Sequence, residues 1–211
     1  GRITQTTVDT ATPYVTTYSY LAGLNGSSSA KVGSITNNGN TRSYTYDQNG
    51  NIDTMTKGSN VIKYYYNELN ELIRENNQIL NKTVVYAYDA GGNIANKADY
   101  PYTTGTLGTP TKTYSYAYGD TNWKDKLTGY DGKAITYDAI GNPLTYDGWT
   151  YTWEAGRQLA SMSKAGQSLS FKYNDAGIRT RKTVNGVTTN YYLNGDKVTL
   201  EDNGTDQLYY S

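Results

Sequence analysis

Aromatic and polar residues alternate along short stretches of this chain, and Asp, Asn and Gly interrupt them at near-regular intervals. Successive side chains of a β-strand point to opposite faces, so the alternation predicts strands with one aromatic face. Six stretches fit one template: two aromatic or apolar positions one residue apart, then Asp, Asn or Glu, then a turn. They are Tyr44-x-Tyr46-Asp47-x-x-Gly50-Asn51, Tyr64-x-Tyr66-Asn67, Tyr86-x-Tyr88-Asp89-x-x-Gly92-Asn93, Ile135-x-Tyr137-Asp138-x-x-Gly141-Asn142, Tyr151-x-Trp153-Glu154 and Phe171-x-Tyr173-Asn174-x-x-Gly177. Their starts are 20, 22, 49, 16 and 20 residues apart. Tyr18-Ser-Tyr20 and Tyr116-Ala-Tyr118 are degenerate copies. The second lies in the 49-residue gap together with an insertion.

The acidic or amide residue caps a turn with its side chain. Three residues later comes Gly in four copies and Asn in one, both tolerant of positive φ. That is a type I turn followed by a left-handed residue, a three-residue hairpin with a bulge. Arg157 breaks the rule, with Gly156 one place early, so that hairpin has a different turn. A second class of turn alternates with the first. Asp131-Gly132, Asp147-Gly148, Asn185-Gly186, Asn194-Gly195 and Asn203-Gly204 predict two-residue hairpins. The sum is an all-β antiparallel meander. Roughly 16 to 20 short strands exceed what an open twisted sheet holds without curling or splitting, so a curled sheet is expected.

The remainder is less regular. Residues 1–43 read as irregular repeats, with Leu21 to Asn40 as Gly/Ser/Asn-rich loops around weak strands. Residues 44–211 carry the repeats. Near 99–113, Pro101, Gly105, Gly108 and Pro110 mark an inserted surface loop. Asn67 to Lys82 carries two signals: Leu69, Leu72 and Ile73 at helical spacing, and the strand-turn-strand expected of a repeat copy.

Composition removes whole classes of chemistry. The chain has 211 residues, no Cys and no His. Thiolate nucleophiles, disulfides, Ser-His-Asp triads and Cys/His zinc sites are therefore excluded within it. Nineteen basic and nineteen acidic residues cancel, which argues against a nucleic-acid grip. No apolar run is long enough to span a membrane as a helix. The 24 Tyr and 31 Thr favour strands, and the 21 Asn and 22 Gly favour turns. The first residue lies within the repeat pattern, so the chain reads as a segment of something longer.

Three groups of residues invite a functional reading. Rows of Tyr and Trp offer stacking surfaces for sugar rings, yet alternating Tyr equally fills one face of a sheet and pairs across strands. Asp47, Asn49, Asn51 and Asp53 alternate like calcium-loop oxygens, but the twelfth position is Gly58 rather than Glu, and an Asp-stabilised turn accounts for them. Arg157, Lys172, Arg179, Arg181 and Lys182 form a mildly basic stretch beside Glu154 and Asp175, as on a solvated strand face. No residue is assigned to catalysis, a cofactor or a metal. The template residues are read as structural.

The template, with Tyr46-Asp47-x-x-Gly50-Asn51, Tyr88-Asp89-x-x-Gly92-Asn93 and Tyr137-Asp138-x-x-Gly141-Asn142 as its fullest copies, resembles the YD-repeat, or RHS-repeat, family. Trp123 to Leu159 is similar to the bacterial repeats just before the RHS-associated core, and the resemblance covers about residues 44–200. It implies a β-strip that spirals into a hollow shell. In bacterial toxins of this family the shell encloses a C-terminal toxic domain; teneurins use a similar barrel in adhesion. The self-cleaving core of the family carries an Asp-Pro motif, and the four prolines here follow Thr12, Tyr100, Thr109 and Asn142. The expectation is a non-catalytic wall segment of a secreted or cell-surface bacterial protein. Its partners would be neighbouring repeats, the core domain and an enclosed toxin, with self-association through exposed sheet edges. The rival is a glycan- or cell-wall-binding module, since Tyr146-Asp147-Gly148-Trp149 is similar to choline- and glucan-binding repeats.

Overall fold

Each aromatic-alternating stretch forms a strand, and each Asp/Asn/Gly cluster a turn, in the computed structural model, which describes residues 2–9 and 11–210. The described residues hold twenty antiparallel strands, one short 3-10 turn at Leu24–Gly26 and no α-helix. The chain divides into two compact units, Gly1–Ser115 and Tyr116–Ser211.

In the first unit the strands are β1 (Gln5–Val8), β2 (Tyr14–Ala22), β3 (Ser28–Asn37), β4 (Asn40–Tyr46) and β5 (Ile52–Lys57). They continue as β6 (Asn60–Tyr66), β7 (Leu72–Asn77), β8 (Lys82–Tyr88), β9 (Ile94–Pro101) and β10 (Lys112–Ala117), whose last two residues belong to the second unit. That unit adds β11 (Gly129–Tyr130), β12 (Lys133–Tyr137), β13 (Pro143–Tyr146), β14 (Trp149–Glu154) and β15 (Gln158–Lys164). It ends with β16 (Gln167–Tyr173), β17 (Arg179–Val184), β18 (Val187–Asn194), β19 (Lys197–Asp202) and β20 (Gln207–Tyr209). Strands pair with their neighbours in sequence, a meander throughout. β1 and β20 each pair on one side only.

One irregularity recurs. Tyr46 pairs with Ile52 but Thr45 with Thr54, which leaves Asp53 as an extra residue. The same step precedes Tyr66, Tyr88, Tyr137, Trp153 and Tyr173. A bulge beside every template turn keeps the aromatic residues of successive copies on one face.

The opposite face explains the threonine content. Its hydroxyls meet in cross-strand pairs: Ser19–Ser34, Thr36–Thr41 and Thr45–Thr54 in the first unit, at 2.6–2.8 Å. Thr136–Thr145, Thr152–Ser161 and Thr183–Thr188 do the same in the second, at 2.6–2.9 Å. Each such pair is worth about 0.2–1 kcal/mol.

Several expectations are corrected. Within 21–40, expected as loops around weak strands, Ser28–Asn37 is one ten-residue strand, because its alternate Ser and Thr pair across to β2 and β4. Asn194 ends β18, and its turn is Gly195–Asp196. Asn203-Gly204 opens a four-residue loop in which Asn203 Oδ1 accepts from the Thr205 and Asp206 amides. Of the two signals over 67–82, the strand-turn-strand expected of a repeat copy is borne out: the stretch is turn, β7, then turn, because β7 fills the ladder between β6 and β8.

Residues 102–111 connect β9 to β10 and fold back on the hydroxyl face of β7 and β8. Arg74 donates to the Thr103 and Gly105 carbonyls at 2.9 and 3.0 Å, and to Asn76 Oδ1 at 2.8 Å. Thr83 Oγ1 donates to the Thr103 carbonyl and accepts from its amide. Asn76 and Thr83 are thereby buried with partners, as buried polar groups require. The apolar core consists of Ile62, Val84 and Ala98 in the first unit and Phe171 and Tyr191 in the second.

Candidate functional site

The template turn is built by its first residue. In the first copy the Asp47 amide donates to the Asn51 carbonyl and the Gly50 amide to the Asp47 carbonyl. The Asp47 carboxylate then accepts from the Asn51 amide at 2.8 Å and from its side chain at 3.0 Å. Gly50 has φ +92°, where a Cβ costs energy. Asp89 with Asn93 and Asp138 with Asn142 repeat this pattern. Asn67 and Asn174 serve with a neutral amide oxygen, and Asn70 at φ +62° replaces the glycine. In the fifth copy Ala155 and Gly156 both have positive φ, so the turn differs there.

These bonds hold the turn carboxylates in their charged form. The Asn51 side chain lowers Asp47, and the Asn93 amide lowers Asp89. At Asp138 burial pushes upward, but the Asn142 amide and side chain outweigh it. Asp120, beside Lys126 and the Trp123 and Asn122 amides, is lowered from 3.8 to about 2. A folded value below the unfolded one adds stability above the unfolded value, and this is lost as pH falls through the folded value. Stability is therefore expected to drop from pH near 4 towards 2 in denaturant titrations. Asp89→Asn and Asp138→Asn, which imitate the Asn67 and Asn174 turns, are expected to keep the fold and flatten that dependence. An unchanged acid slope in the double variant would count against the turns as its source.

The second aromatic of each copy does more than fill the face. Tyr66 Oη donates at 2.9 Å to the Ile52 carbonyl, the residue paired with the preceding copy's Tyr46. Tyr88 donates to Leu72, the partner of Tyr66, at 2.8 Å. In the second unit Trp153 Nε1 donates to Pro143, the partner of Tyr137, at 2.7 Å. Tyr173 donates to Leu159, the partner of Trp153, at 3.1 Å. Tyr20, Tyr46 and Tyr137 donate likewise to Ile3, Val32 and Leu127. The ladder between β5 and β6 ends at Thr54–Lys63, so Ile52 lies beyond it and the phenol takes the place of a ladder donor. Each hairpin is thus stitched to the one before it. Burial pushes the Tyr66, Tyr88 and Tyr137 phenols up, so they remain donors at neutral pH.

Removing one hydroxyl, as in Tyr66→Phe, is expected to cost about 1 kcal/mol. The reverse test is available at Leu193. It occupies the second-aromatic position opposite Val198, 14 residues after Arg179, the partner of Tyr173, and carries no hydroxyl. Leu193→Tyr is expected to raise the melting temperature by roughly 2–4 °C. A lower melting temperature would refute the stitch as a transferable element.

The first template positions, Tyr44, Tyr64, Tyr86, Ile135, Tyr151 and Phe171, pair with Met55, Glu75, Lys97, Tyr146, Met162 and Lys182 on the same face. Ile135, Tyr137, Pro143, Tyr146, Tyr151, Trp153 and Leu159 bound an open apolar hollow of about 320 Å³. Neighbouring turns also touch. Asn51 and Asn49 donate to Asn70 Oδ1 at 2.8 and 2.9 Å, and buried Asn142 donates to the Gly156 carbonyl at 2.6 Å.

The other candidates lie apart. The Asp47 carboxylate is engaged within its turn, and Asp53 pairs with Lys63 on β6. Among the described residues no three acidic side chains cluster as metal ligands would. In the basic stretch, Arg179 lies over the Phe171 and Tyr191 rings and Lys172 pairs with Glu154. The template alone does not mark the stitch acceptors. Their signal is an aliphatic residue or proline just after each turn (Ile52, Leu72, Pro143, Leu159), or just after a cation lying over the next ring: Arg2-Ile3, Lys31-Val32 and Lys126-Leu127.

No family model matches the chain. Over 139 residues it is 35% identical to the tRNA nuclease WapA of Bacillus subtilis strain 168, covering 64% of this chain. The tRNA3(Ser)-specific nuclease WapA of Bacillus spizizenii matches equally, and the tRNA(Glu)-specific nuclease WapA of Bacillus subtilis subsp. natto is 38% identical over 82 residues. The chain spans 4–6% of the length of these relatives. Two solved TcdB2–TccC3 structures align with 89% and 94% of the chain and 14% and 15% of theirs, at 13% and 12% identity and TM-scores of 0.48 and 0.35. The template closes the same hydrogen-bonded turn in five of its six copies, and with the WapA relatives the chain is similar to the YD-repeat, or RHS-repeat, family.

Proposed function

We propose that this chain is a non-catalytic wall segment, one continuous repeat domain of a YD-repeat shell. That shell encloses the C-terminal toxin or effector domain of a large secreted or cell-surface bacterial protein. The observation that carries the reading is the stitch. A wall needs a rule for adding the next hairpin, and here the second aromatic of four of the six copies binds the carbonyl left open by the copy before it. The two faces fit the same role. The aromatic face would line the lumen and meet the enclosed chain, and the paired hydroxyls would face water. The curated relatives are far longer proteins named for nuclease activity, which leaves ample chain for a cargo domain.

Electron microscopy of the full-length parent tests this. A closed hollow particle with internal density is expected; an open strip without a lumen would overturn the reading. The isolated chain is further expected to self-associate through the free sides of β1 and β20, the usual behaviour of uncovered edge strands. Light scattering after size exclusion checks this, and a monomer at every concentration would contradict it.

A further inference from the structure

Tyr116 on β10 and Tyr130 on β11 are direct cross-strand partners. Their ring centroids are 5.0 Å apart, with the planes tilted by 58°. Tyr146 stands next in the row, 6.5 Å from Tyr130. The ladder is short here: β10 and β11 share two pairs, and β11 has two residues. Between the tyrosines runs the connection that carries Asp120, Trp123 and Lys126. The chain has no cysteine with which to staple such a joint.

We propose that Tyr116 and Tyr130 form an oxidative cross-linking site, a dityrosine staple across the β10–β11 joint. The co-reactant is a one-electron oxidant of the peroxidase class with hydrogen peroxide. Each phenol gives up one electron and its hydroxyl proton and becomes a phenoxyl radical with spin on its ortho carbons. The two radicals join ortho carbon to ortho carbon, and the two ortho hydrogens move to the oxygens as the rings regain aromaticity. Two electrons and two protons leave in total and reduce one peroxide to two waters.

The geometry favours this pair. Rings at 5.0 Å are in edge contact, within the normal range for aromatic pairs. A biaryl is twisted about its new bond, so a tilted pair is nearer to product than a parallel stack. Both rings are half-buried, open to a small diffusible oxidant yet held on adjacent strands. The Tyr130–Tyr146 contact gives a radical formed at Tyr146 a route to the pair. The link closes a loop of about 14 residues, whose constraint on the unfolded chain resembles that of a disulfide.

The test is oxidation of the dilute 211-residue chain with horseradish peroxidase and peroxide, followed by trypsin and mass spectrometry. Trypsin releases residues 113–124 and 127–133, the second with Tyr130 as its one tyrosine. The expected product is these two peptides joined, two hydrogens lighter than their sum, with fragment ions placing the bond at Tyr116. The melting temperature should rise by roughly 5–10 °C. Tyr116→Phe and Tyr130→Phe, which keep the rings, should each abolish the joined pair, whereas Tyr146→Phe should retain it. Oxidation in denaturant should lower its yield several-fold. Failure to find the pair, its survival in Tyr116→Phe, or an equal yield from the unfolded chain would each overturn the proposal.

Discussion

Phe171→Ala is expected to destabilise the chain by about 3–5 kcal/mol, at the top of the range for single substitutions. Phe171 is 6% exposed, among the most buried aromatic side chains described. The Arg179 guanidinium lies 5.6 Å from its ring centre and 5.3 Å from that of Tyr191. Removing the ring opens a cavity and deprives the cation of one of its two π faces, the other being Tyr191, itself 9% accessible. Globular domains are stable by about 5–15 kcal/mol, so one residue would remove a large fraction. Denaturant unfolding followed by tryptophan emission is a suitable readout, because Trp123, Trp149 and Trp153 all lie in the second unit. Phe171→Leu, which keeps most of the volume, should cost less than about 1.5 kcal/mol. An alanine cost below about 1 kcal/mol would show that this ring is not a core element.

Gly141→Ala is expected to cost about 2–3 kcal/mol from two separable sources. Gly141 has φ +88°, where a Cβ meets the following carbonyl, worth about 1–2 kcal/mol. In addition, that Cβ would lie 2.8 Å from Trp123 Cζ3 and 3.1 Å from Cη2. Gly50 occupies the same place in the first copy at φ +92°, but there the nearest atom is the flexible Lys31 ammonium at 3.5 Å. Gly50→Ala should therefore cost only the backbone part. The difference between the two glycines isolates the indole contact. Combining Trp123→Ala with Gly141→Ala should then show a favourable coupling energy. Equal costs at Gly50 and Gly141 would mean that the indole moves aside freely.

The contrast between these glycines marks what sequence spacing can and cannot reveal. Strand and turn positions follow from local chemistry. Tyr-x-Tyr-Asp alternates on a strand, and Asp47, Asn67, Asp89, Asp138 and Asn174 close turns with their own side chains. The I′-type turns at Asp131-Gly132, Asp147-Gly148 and Asn185-Gly186 are equally local, needing only two residues with positive φ. Asn194 and Asn203 show the limit. Their registers, Asn194–Lys197 and Asp202–Gln207, are set by pairing along β18, β19 and β20, and those pairings place the loop one residue later or lengthen it to four. Leu69, Leu72 and Ile73, within Asn67 to Lys82, carry a helical spacing that tertiary pairing overrides, because a helix there would leave β6 and β8 without a common neighbour.

By itself the sequence determined an all-β meander of repeats, because alternation and turn formation each depend on a handful of consecutive residues. It also determined that His- and Cys-dependent chemistry is absent, because the side chains are. Only the tertiary structure decided where each phenol donates, since donor and acceptor are 10 to 17 residues apart and meet across strands. The same holds for the seating of Trp123 on Gly141 and of residues 102–111 on Arg74 and Thr83. These contacts arise from register and burial, which no stretch of chain specifies until its neighbours in space are in place.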